Sequence, residues 1–272
     1  MSDLTLTRLL AIALACVSFS QRLSAQTPVM FDPARATALP GSASIIRHSP
    51  NAVVTIQQNR LFLTPFSKGN SAFTGLVMKP QAPTAQGFEV SIDIEAFEGT
   101  GIDKHAYPAL WVGAFPPDAP DREGFFLYEG SWLGLAVQLE KRLPVVEGEA
   151  PRYWLAIWER WSESGEGYQH AEQDKTASFR QVALLSGLPT HLKVRIRSTM
   201  VRVELAGATI EPKQGNLTLL TNKSFEYDLN SNLAQVMAGP LRPAFGLSIY
   251  GDQATVPEVR LRGFSINPSP QR

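Results

Sequence analysis

Apolar and polar residues alternate with a period of two along most of the chain, which is the pattern of strands with one buried and one solvated face. Turn-forming segments such as 68–70 and 164–167 separate the alternating runs. These runs are 52–57, 60–64, 72–78, 87–97, 107–115, 124–128, 132–140, 152–161, 178–185, 190–197, 199–206, 243–250 and 257–266. Helical periodicity is confined to about 229–238, before Gly239-Pro240, and to one further turn at 168–177. We therefore expect an all-β fold, a single antiparallel β-sandwich with one or two short helices.

The N-terminal segment has the features of an export signal. Residues 9–19 are an apolar run that Arg8 precedes, and they are too few to span a bilayer. The small residues at 23–25 predict cleavage before Gln26. The segment that ends in Cys16 also partly resembles a lipobox, so a lipid anchor through Cys16 is the alternative. We predict a secreted or periplasmic protein, with no transmembrane segment elsewhere in the sequence.

Composition narrows the class of protein further. A hydrophobic fraction of 44% and a charged fraction of 18% exclude a disordered chain. The 25 basic and 25 acidic residues balance, which argues against a nucleic-acid partner, because such a partner requires a basic face. Cys16 is the single cysteine, so the mature protein would be stabilised by its core without disulfides.

The chain is predicted to have one folded domain and no internal linker. The expected division is a signal peptide at 1–25, an N-terminal lead-in at 26–50, the sandwich at 51–267 and a tail at 268–272. The sequence contains no fixed repeat, which argues against a propeller or a solenoid. It leaves the oligomeric state open.

Four segments carry a resemblance to a known superfamily. Residues 87–97 open a strand series, 190–207 are predicted to form a hairpin that ends at a turn glycine, and 239–251 and 257–266 close the chain. This succession resembles the concanavalin A-like lectin/glucanase superfamily, including laminin-G-like modules and 3-keto-disaccharide hydrolase domains. The resemblance implies a jelly roll of two curved antiparallel sheets, with a saccharide on the concave sheet.

Predicted strands 132–140 and 152–161 form the most informative pair, which we expect to be a hairpin with Gln138 opposite Trp154. One face of this pair is apolar and is assigned to the core. The other face mixes large aromatic, very small and polar residues. Aromatic rings stack on sugar faces, and polar side chains bind hydroxyls, so we predict an oligosaccharide or polysaccharide ligand there. The predicted binding residues are Tyr107, Trp111, Trp132, Gln138, Trp154, Trp158 and Arg160. The alternative is that loops 141–151 and 162–177 cover this face and make it a second core.

Glu140 lies on the same predicted face and is the candidate general acid or base of a glycoside hydrolase or polysaccharide lyase, with Gln138 and Arg160 orienting the substrate. In the superfamily that this chain resembles, the laminarinase-like hydrolases carry Glu-x-Asp-x-Glu on one strand. This chain has Ser91, Asp93 and Glu95 at the corresponding positions. Retaining hydrolysis needs two carboxylates close to each other, one of which is the nucleophile. Ser91 stands at the nucleophile position of this motif, so the nucleophilic carboxylate is missing. We expect a strand whose apolar residues face inward and whose carboxylates face water.

The 3-keto-disaccharide hydrolase resemblance is also incomplete. Residues 134–140 fall where that family shows a Glu-x-Gln-type strand, but residues 107–115 and 248–252 replace two of its other elements. The resemblance to this family therefore implies the same architecture and a sugar partner for this chain, but not the hydrolase activity. His191 begins the predicted strand 190–197 beside Lys193, so we expect its side chain to be exposed.

Asp118, Asp121 and Glu123 lie in one proline-rich loop, and loop carboxylates of this kind are suited to Ca²⁺. Turn-forming acidic residues next to prolines explain the same pattern, so no cofactor is certain and Ca²⁺ is the candidate. The sequence thus favours a carbohydrate-binding protein, ahead of a glycan-processing enzyme and of an envelope structural domain without catalysis.

Overall fold

The computed structural model describes residues 28–47, 52–65, 72–80, 87–103, 105–117, 133–143, 152–162, 177–186, 189–207 and 224–268. Within these ranges the chain consists of β-strands and one short helix, which confirms the predicted all-β class. The strands are β1 (Val29–Phe31), β2 (Ala43–Arg47), β3 (Val53–Gln57), β4 (Arg60–Thr64), β5 (Phe73–Met78), β6 (Phe88–Glu98), β7 (Tyr107–Phe115), β8 (Gly134–Arg142), β9 (Arg152–Arg160), β10 (Ala177–Ser186), β11 (His191–Ile196), β12 (Met200–Ala206), β13 (Ser224–Asp228), β14 (Arg242–Tyr250) and β15 (Glu258–Pro268). The helix is α1 (Ser231–Val236).

The strands form two antiparallel sheets, as predicted for a sandwich. Sheet I has the order β13-β12-β11-β6-β15-β4-β3, and β1 also pairs with β15. Sheet II has the order β10-β9-β8-β7-β14-β5-β2. Strands that are far apart in sequence are neighbours in both sheets, for example β6 with β15 and β7 with β14. The chain therefore crosses repeatedly between the two layers.

The inner faces of the two sheets pack into one apolar core, built by the alternation seen in the sequence. In β6 the side chains of Val90, Ile92 and Ile94 are completely buried, while Asp93 and Glu95 are exposed, as predicted. In β8 and β9 the inward residues are likewise apolar. They are Leu135, Val137, Leu139, Tyr153, Leu155 and Ile157.

The two sheets differ in what their other faces contact. Strands β11 and β12 of sheet I alternate strictly between buried and half-buried residues, so that sheet has a solvated face. All residues of β7 in sheet II are buried, whichever way their side chains point. Sheet II is therefore buried on both faces along its central strand, and this second burial determines the character of the site described below.

The predicted lead-in contributes β1 to sheet I and β2 to sheet II. Its pattern does not predict these strands, because β1 has three residues and β2 carries the adjacent apolar residues Ile45 and Ile46, so neither alternates clearly. Strand β13 was also missed, although Phe225 and Tyr227 alternate with polar residues in its sequence. Conversely, the predicted strand 124–128 and the predicted turn of helix at 168–177 lie outside the described residues, apart from Ala177, which begins β10.

Helix α1 lies within the predicted segment 229–238. The Asn230 side chain accepts a hydrogen bond of 2.9 Å from the Asn232 backbone N–H and so caps the helix start. Leu233 and Met237 are fully buried on one side, which is the side that the periodicity indicated.

Candidate functional site

The candidate site lies on the distal face of sheet II, defined as the side chains of β2, β5, β7–β10 and β14 that point away from the core between the sheets. Cross-strand pairs Trp111–Gln138, Glu140–Trp154 and Ala136–Trp158 place their side chains on this one face. The structure therefore places the predicted binding residues that it describes on one face of sheet II, with Arg160 at the opposite end from Trp154. Trp132, Asp118, Asp121 and Glu123 lie outside the described residues.

The β8–β9 hairpin is present, but its predicted register is wrong by two residues. Gln138 pairs with Ala156, and Trp154 pairs with Glu140. A shift of two residues leaves every side chain on the same face, so the predicted division of the β8 and β9 residues between the two faces agrees with the structure despite the error. For the same reason, alternation alone could not have fixed this register.

The centre of the distal face is a second apolar core. Trp111 is completely buried and Trp158 is 3% exposed, and both belong to a cluster that includes Phe115 and Ala136. A Cβ atom on Gly246 would lie 2.5 Å from an indole carbon of Trp111. The small residues at this centre therefore accommodate a ring of the protein itself.

A buried amide links the aromatic residues of this face. The Gln138 side-chain amide donates a hydrogen bond of 2.7 Å to the Tyr250 hydroxyl, and the Trp158 indole N–H donates one of 3.0 Å to the Gln138 amide oxygen. Tyr107 stacks on Tyr250 with ring centroids 4.9 Å apart. Both ends of the amide are thus satisfied, which fixes the orientation of the rings around it. Tyr250 was not among the predicted residues, although the alternation of strand 243–250 could have placed it on this face.

Burial decreases toward one end of the distal face, at what we call the Arg142 cluster, formed by Tyr107, Glu140, Arg142 and Trp154. The Arg142 guanidinium donates hydrogen bonds of 2.6 and 2.9 Å to one oxygen of the Glu140 carboxyl. Its central carbon lies 4.3 Å from the Tyr107 ring centroid and 5.2 Å from that of Trp154. The Glu140 side chain is fully buried, whereas that of Arg142 is 26% exposed. Trp154 is half-buried, so the cluster joins the buried centre of the face to the surface.

Burial raises the pKa of the Glu140 carboxyl, and the charge and hydrogen bonds of Arg142 oppose that rise. The carboxyl oxygen Oε1 is buried and has no hydrogen-bond partner among the residues that the structure describes. In the next positions of the same cross-strand row lie Ala109 and then Ser248, whose buried hydroxyl also has no partner within those residues. Two unsatisfied polar groups therefore flank the small side chain of Ala109, and both could bind a polar ligand group.

Arg160 lies away from this cluster. It pairs with Gly134 at the opposite end of β9, and its Nε donates a hydrogen bond of 3.3 Å to the Ser162 carbonyl oxygen. Six strand residues separate it from Trp154, a distance of about 20 Å. The guanidinium beside Glu140 is that of Arg142, which lies just past the predicted strand end and was not selected from the sequence.

The described residues contain no group of three or more His, Cys, Asp or Glu side chains that could hold a metal ion. The predicted calcium ligands lie outside those residues, so the Ca²⁺ prediction stays a prediction. In the part of the chain that the structure describes, no helix is long and apolar enough to cross a bilayer.

Neither a protein-family model nor a curated protein sequence matches this chain. Solved structures do. The metal-free exoplasmic/lumenal domain of VIP36 aligns with a TM-score of 0.51 at 13% identity, over 92% of this chain and 95% of that one. The carbohydrate recognition domain of Emp47p aligns with a TM-score of 0.51 at 12% identity, over 91% and 97% of the two chains. The Ca²⁺/Man-bound form of the VIP36 domain aligns with a TM-score of 0.50 at 14% identity, over 92% and 93%. At these identities the similarity concerns the fold.

Proposed function

We propose that this chain, which has the concanavalin A-like jelly-roll fold of those domains, is a secreted carbohydrate-binding protein whose ligand contacts the Arg142 cluster. The observation that carries the proposal is the combination of groups in that cluster. A half-buried tryptophan and a part-exposed guanidinium lie beside a buried carboxyl, one oxygen of which has no hydrogen-bond partner in the described part of the chain.

These groups match the chemistry of a sugar. The C–H face of a pyranose packs on an indole ring such as that of Trp154. Sugar hydroxyls both donate and accept hydrogen bonds, so one hydroxyl can satisfy Glu140 Oε1 and another can accept from Arg142. The fold adds support, because the VIP36 domain of similar fold is named in a Man-bound form. The buried centre around Trp111 then acts as the rigid base of the site.

Export is part of the proposal. Residues 1–25 would direct the chain out of the cytoplasm and would then be cleaved off. The sandwich would thus be located where free and polymeric glycans are available. Lipid anchoring through Cys16 is the alternative, and either route exposes the protein to extracellular sugars.

We include in the proposal that sugar binding depends on Ca²⁺, which the experiment below tests. The VIP36 domain is known in Ca²⁺-bound and metal-free forms. In this chain the residues that would hold Ca²⁺ are Asp118, Asp121 and Glu123, which supply the oxygen ligands that Ca²⁺ prefers.

A glycan-processing enzyme is the second candidate, and the observation that favours it is the burial of Glu140 with its raised pKa. A carboxyl whose pKa is raised by burial is a candidate general acid. The titratable group that contacts Glu140 is Arg142, which is a cation. Double displacement needs a second carboxylate, and the described contacts of Glu140 contain none, so binding ranks first.

The test is isothermal titration calorimetry of the mature chain against a panel of soluble oligosaccharides, in Ca²⁺ and in chelator, with product analysis of each sample. We expect saturable binding that Trp154→Ala weakens about tenfold or more, a loss of about 1.4 kcal/mol. Trp161→Phe is the matched control, because Trp161 is half-buried and packs against the core between the sheets. This control should bind like the wild type.

Three other outcomes distinguish the alternatives. New products that no longer form in Glu140→Gln would identify an enzyme. Equal losses in the Trp154 and Trp161 variants would show that binding does not involve the Arg142 cluster. The absence of any heat change with every sugar would overturn the proposal and favour a structural domain.

A further inference from the structure

Three side chains on the solvated face of sheet I form a hydrogen-bonded relay that the proposed sugar site does not use. The Ser91 hydroxyl oxygen lies 3.2 Å from His191 Nε2. His191 Nδ1 lies 2.7 Å from a carboxylate oxygen of Asp93. In the tautomer with a proton on Nδ1, that N–H donates to Asp93 and Nε2 accepts from Ser91. This is the order of contacts through which a serine hydroxyl is activated as a nucleophile.

The strands hold this relay in place. Ser91 and Asp93 are two residues apart on β6 and therefore share a face, and His191 is the direct cross-strand partner of Asp93 on β11. The residues on either side of Ser91, Val90 and Ile92, point inward and are fully buried, so they fix the backbone beneath the relay. Groups carried by the interior of a sheet are more rigidly oriented than groups on loops.

Grooves lie on both sides of the relay. One has a volume of about 550 Å³ and is lined by Ser91 and Asp93 together with Gly263, Ser265 and Arg262. The other has a volume of about 370 Å³ and is lined by His191, Lys193 and Arg202, among others. Ser91 thus lines the larger groove and His191 lines the smaller one, so an ester bound in the larger groove would lie beside Ser91 Oγ. The small floor residues Gly263 and Ser265 leave space for a short acyl group.

We propose that Ser91, His191 and Asp93 form a second site, which hydrolyses short-chain carboxylic esters. Ser91 Oγ attacks the ester carbonyl carbon, and its proton passes to His191 Nε2. The C–O bond to the alcohol then breaks, and the alcohol leaves with the proton from His191. Water attacks the acyl-serine with His191 as the base again, which releases the carboxylic acid and restores the Ser91 hydroxyl. Asp93 is a positioning residue that holds the imidazole in the required tautomer.

The oxyanion would be stabilised by side-chain cations. Lys193 is the direct cross-strand partner of Ser91, and Arg262 lines the larger groove beside it. Lys193 is held between carboxylates, with its Nζ 3.4 Å from Glu204 and 3.9 Å from Glu89. A cation in this place favours the negative charge that develops on the carbonyl oxygen.

The experiment uses the mature chain with p-nitrophenyl acetate as substrate and a fluorophosphonate as covalent label. We expect turnover of the ester and a label that peptide mass spectrometry finds on Ser91. Ser91→Ala and His191→Ala should each lower the rate at least about a hundredfold. Ser44→Ala is the matched control, because Ser44 is an exposed serine on β2 of the other sheet and lines neither groove. It should keep the wild-type rate.

Asp93 needs a readout of its own. Asp93→Asn should lower kcat while KM stays unchanged, and Asp93→Glu should restore part of the rate. The proposal is overturned if the label lies elsewhere, if Ser91→Ala hydrolyses the ester at the wild-type rate, or if Ser44→Ala loses as much as Ser91→Ala. Far-ultraviolet circular dichroism and the Tm of each variant identify any that fail to fold. Sugar binding at the Arg142 cluster is on the other sheet, so either proposal can fail without the other.

Discussion

Glu140 illustrates how position in the fold changes the behaviour of one side chain. It is charged in an unfolded chain at neutral pH, but in the fold its side chain is fully buried with a single cationic partner. Burial raises the pKa of Glu140, so the folded state holds a proton that the unfolded state has already lost. This residue therefore destabilises the fold as the pH rises.

The sign of this effect leads to a prediction for Glu140→Gln. Below the ordinary value of 4.5 both states are protonated, and the carboxyl has no pH-dependent effect on stability. Between 4.5 and the raised pKa, the unfolded state binds fewer protons, so the wild type loses stability with rising pH and the glutamine variant does not. The free energy of unfolding of the variant minus that of the wild type should therefore increase as the pH rises above about 4.5 and become constant above the raised pKa.

Urea unfolding of both proteins across this pH range measures that difference. Asp252→Asn, at an exposed position, serves as a control for the general effect of removing a carboxylate. A difference that stays constant with pH would mean that Glu140 is ionised equally in both states.

Gly246 provides a second prediction at the scale of one residue. An added Cβ would lie 2.3 Å from the Thr74 carbonyl oxygen and 2.5 Å from the Trp111 indole. Neither neighbour is the end of a flexible chain, so Gly246→Ala should destabilise the fold by about 1–3 kcal/mol through overpacking. Gly239→Ala is the matched control, since nothing lies within 4 Å of its added Cβ. Urea unfolding of the two variants compares them, and equal stabilities would contradict the tight packing of Trp111.

At the scale of elements, Glu159 joins three pieces of secondary structure. It lies on β9 and is almost fully buried. One carboxylate oxygen accepts a hydrogen bond of 2.5 Å from the Ser178 hydroxyl on β10, and the other accepts one of 2.7 Å from the Asn230 backbone N–H before α1. A single side chain thus ties the helix to the edge of sheet II.

Replacing Glu159 by alanine should remove this connection. The Asn230 N–H and the Ser178 hydroxyl would lose their partner, with an expected cost of about 2–3 kcal/mol in the free energy of unfolding. Amide hydrogen exchange of α1 should accelerate more than that of β6, because the loss is local to the helix. Glu226→Ala is the control, since Glu226 is exposed and forms a surface ion pair with Arg202 at 3.2 Å, and its cost should stay below about 1 kcal/mol. Uniform acceleration across the chain would argue against a local role for Glu159.

Regular alternation of apolar and polar residues explains which strands the sequence predicted. Alternation over nine residues or more identified β6, β7, β8 and β9 to within two residues at each end. Strand β1 has three residues and β2 does not alternate, so their place in the sheets depends on pairing with longer strands, which their own sequences do not reveal. Strand β13 does alternate, and its sequence could have revealed it.

At the scale of the whole molecule, the predicted signal peptide leads to a prediction about where the protein is found. Expression of the full chain in a bacterial host should yield a periplasmic or secreted form that begins at Gln26. Intact-mass spectrometry of that form measures the cleavage site. Cys16→Ser separates the alternatives, because it would leave the predicted cleavage unchanged but abolish a lipid anchor and the corresponding mass of acyl chains. A cytoplasmic product with an intact N-terminus would contradict both.

The sequence by itself determined the class of the fold, the faces of the long strands, the position of the helix and the group of residues on the distal face of sheet II. These features follow from the spacing of residues along the chain, because successive side chains on a strand point to opposite faces of the sheet. The tertiary structure decided what contacts each face. It showed that Trp111 and Trp158 are buried, that Arg142 and not Arg160 accompanies Glu140, and that the β8–β9 register differs by two residues. It also joined Asp93 to His191 across 98 residues of sequence. Pairing between distant strands depends on packing over the whole sandwich, which no local pattern contains.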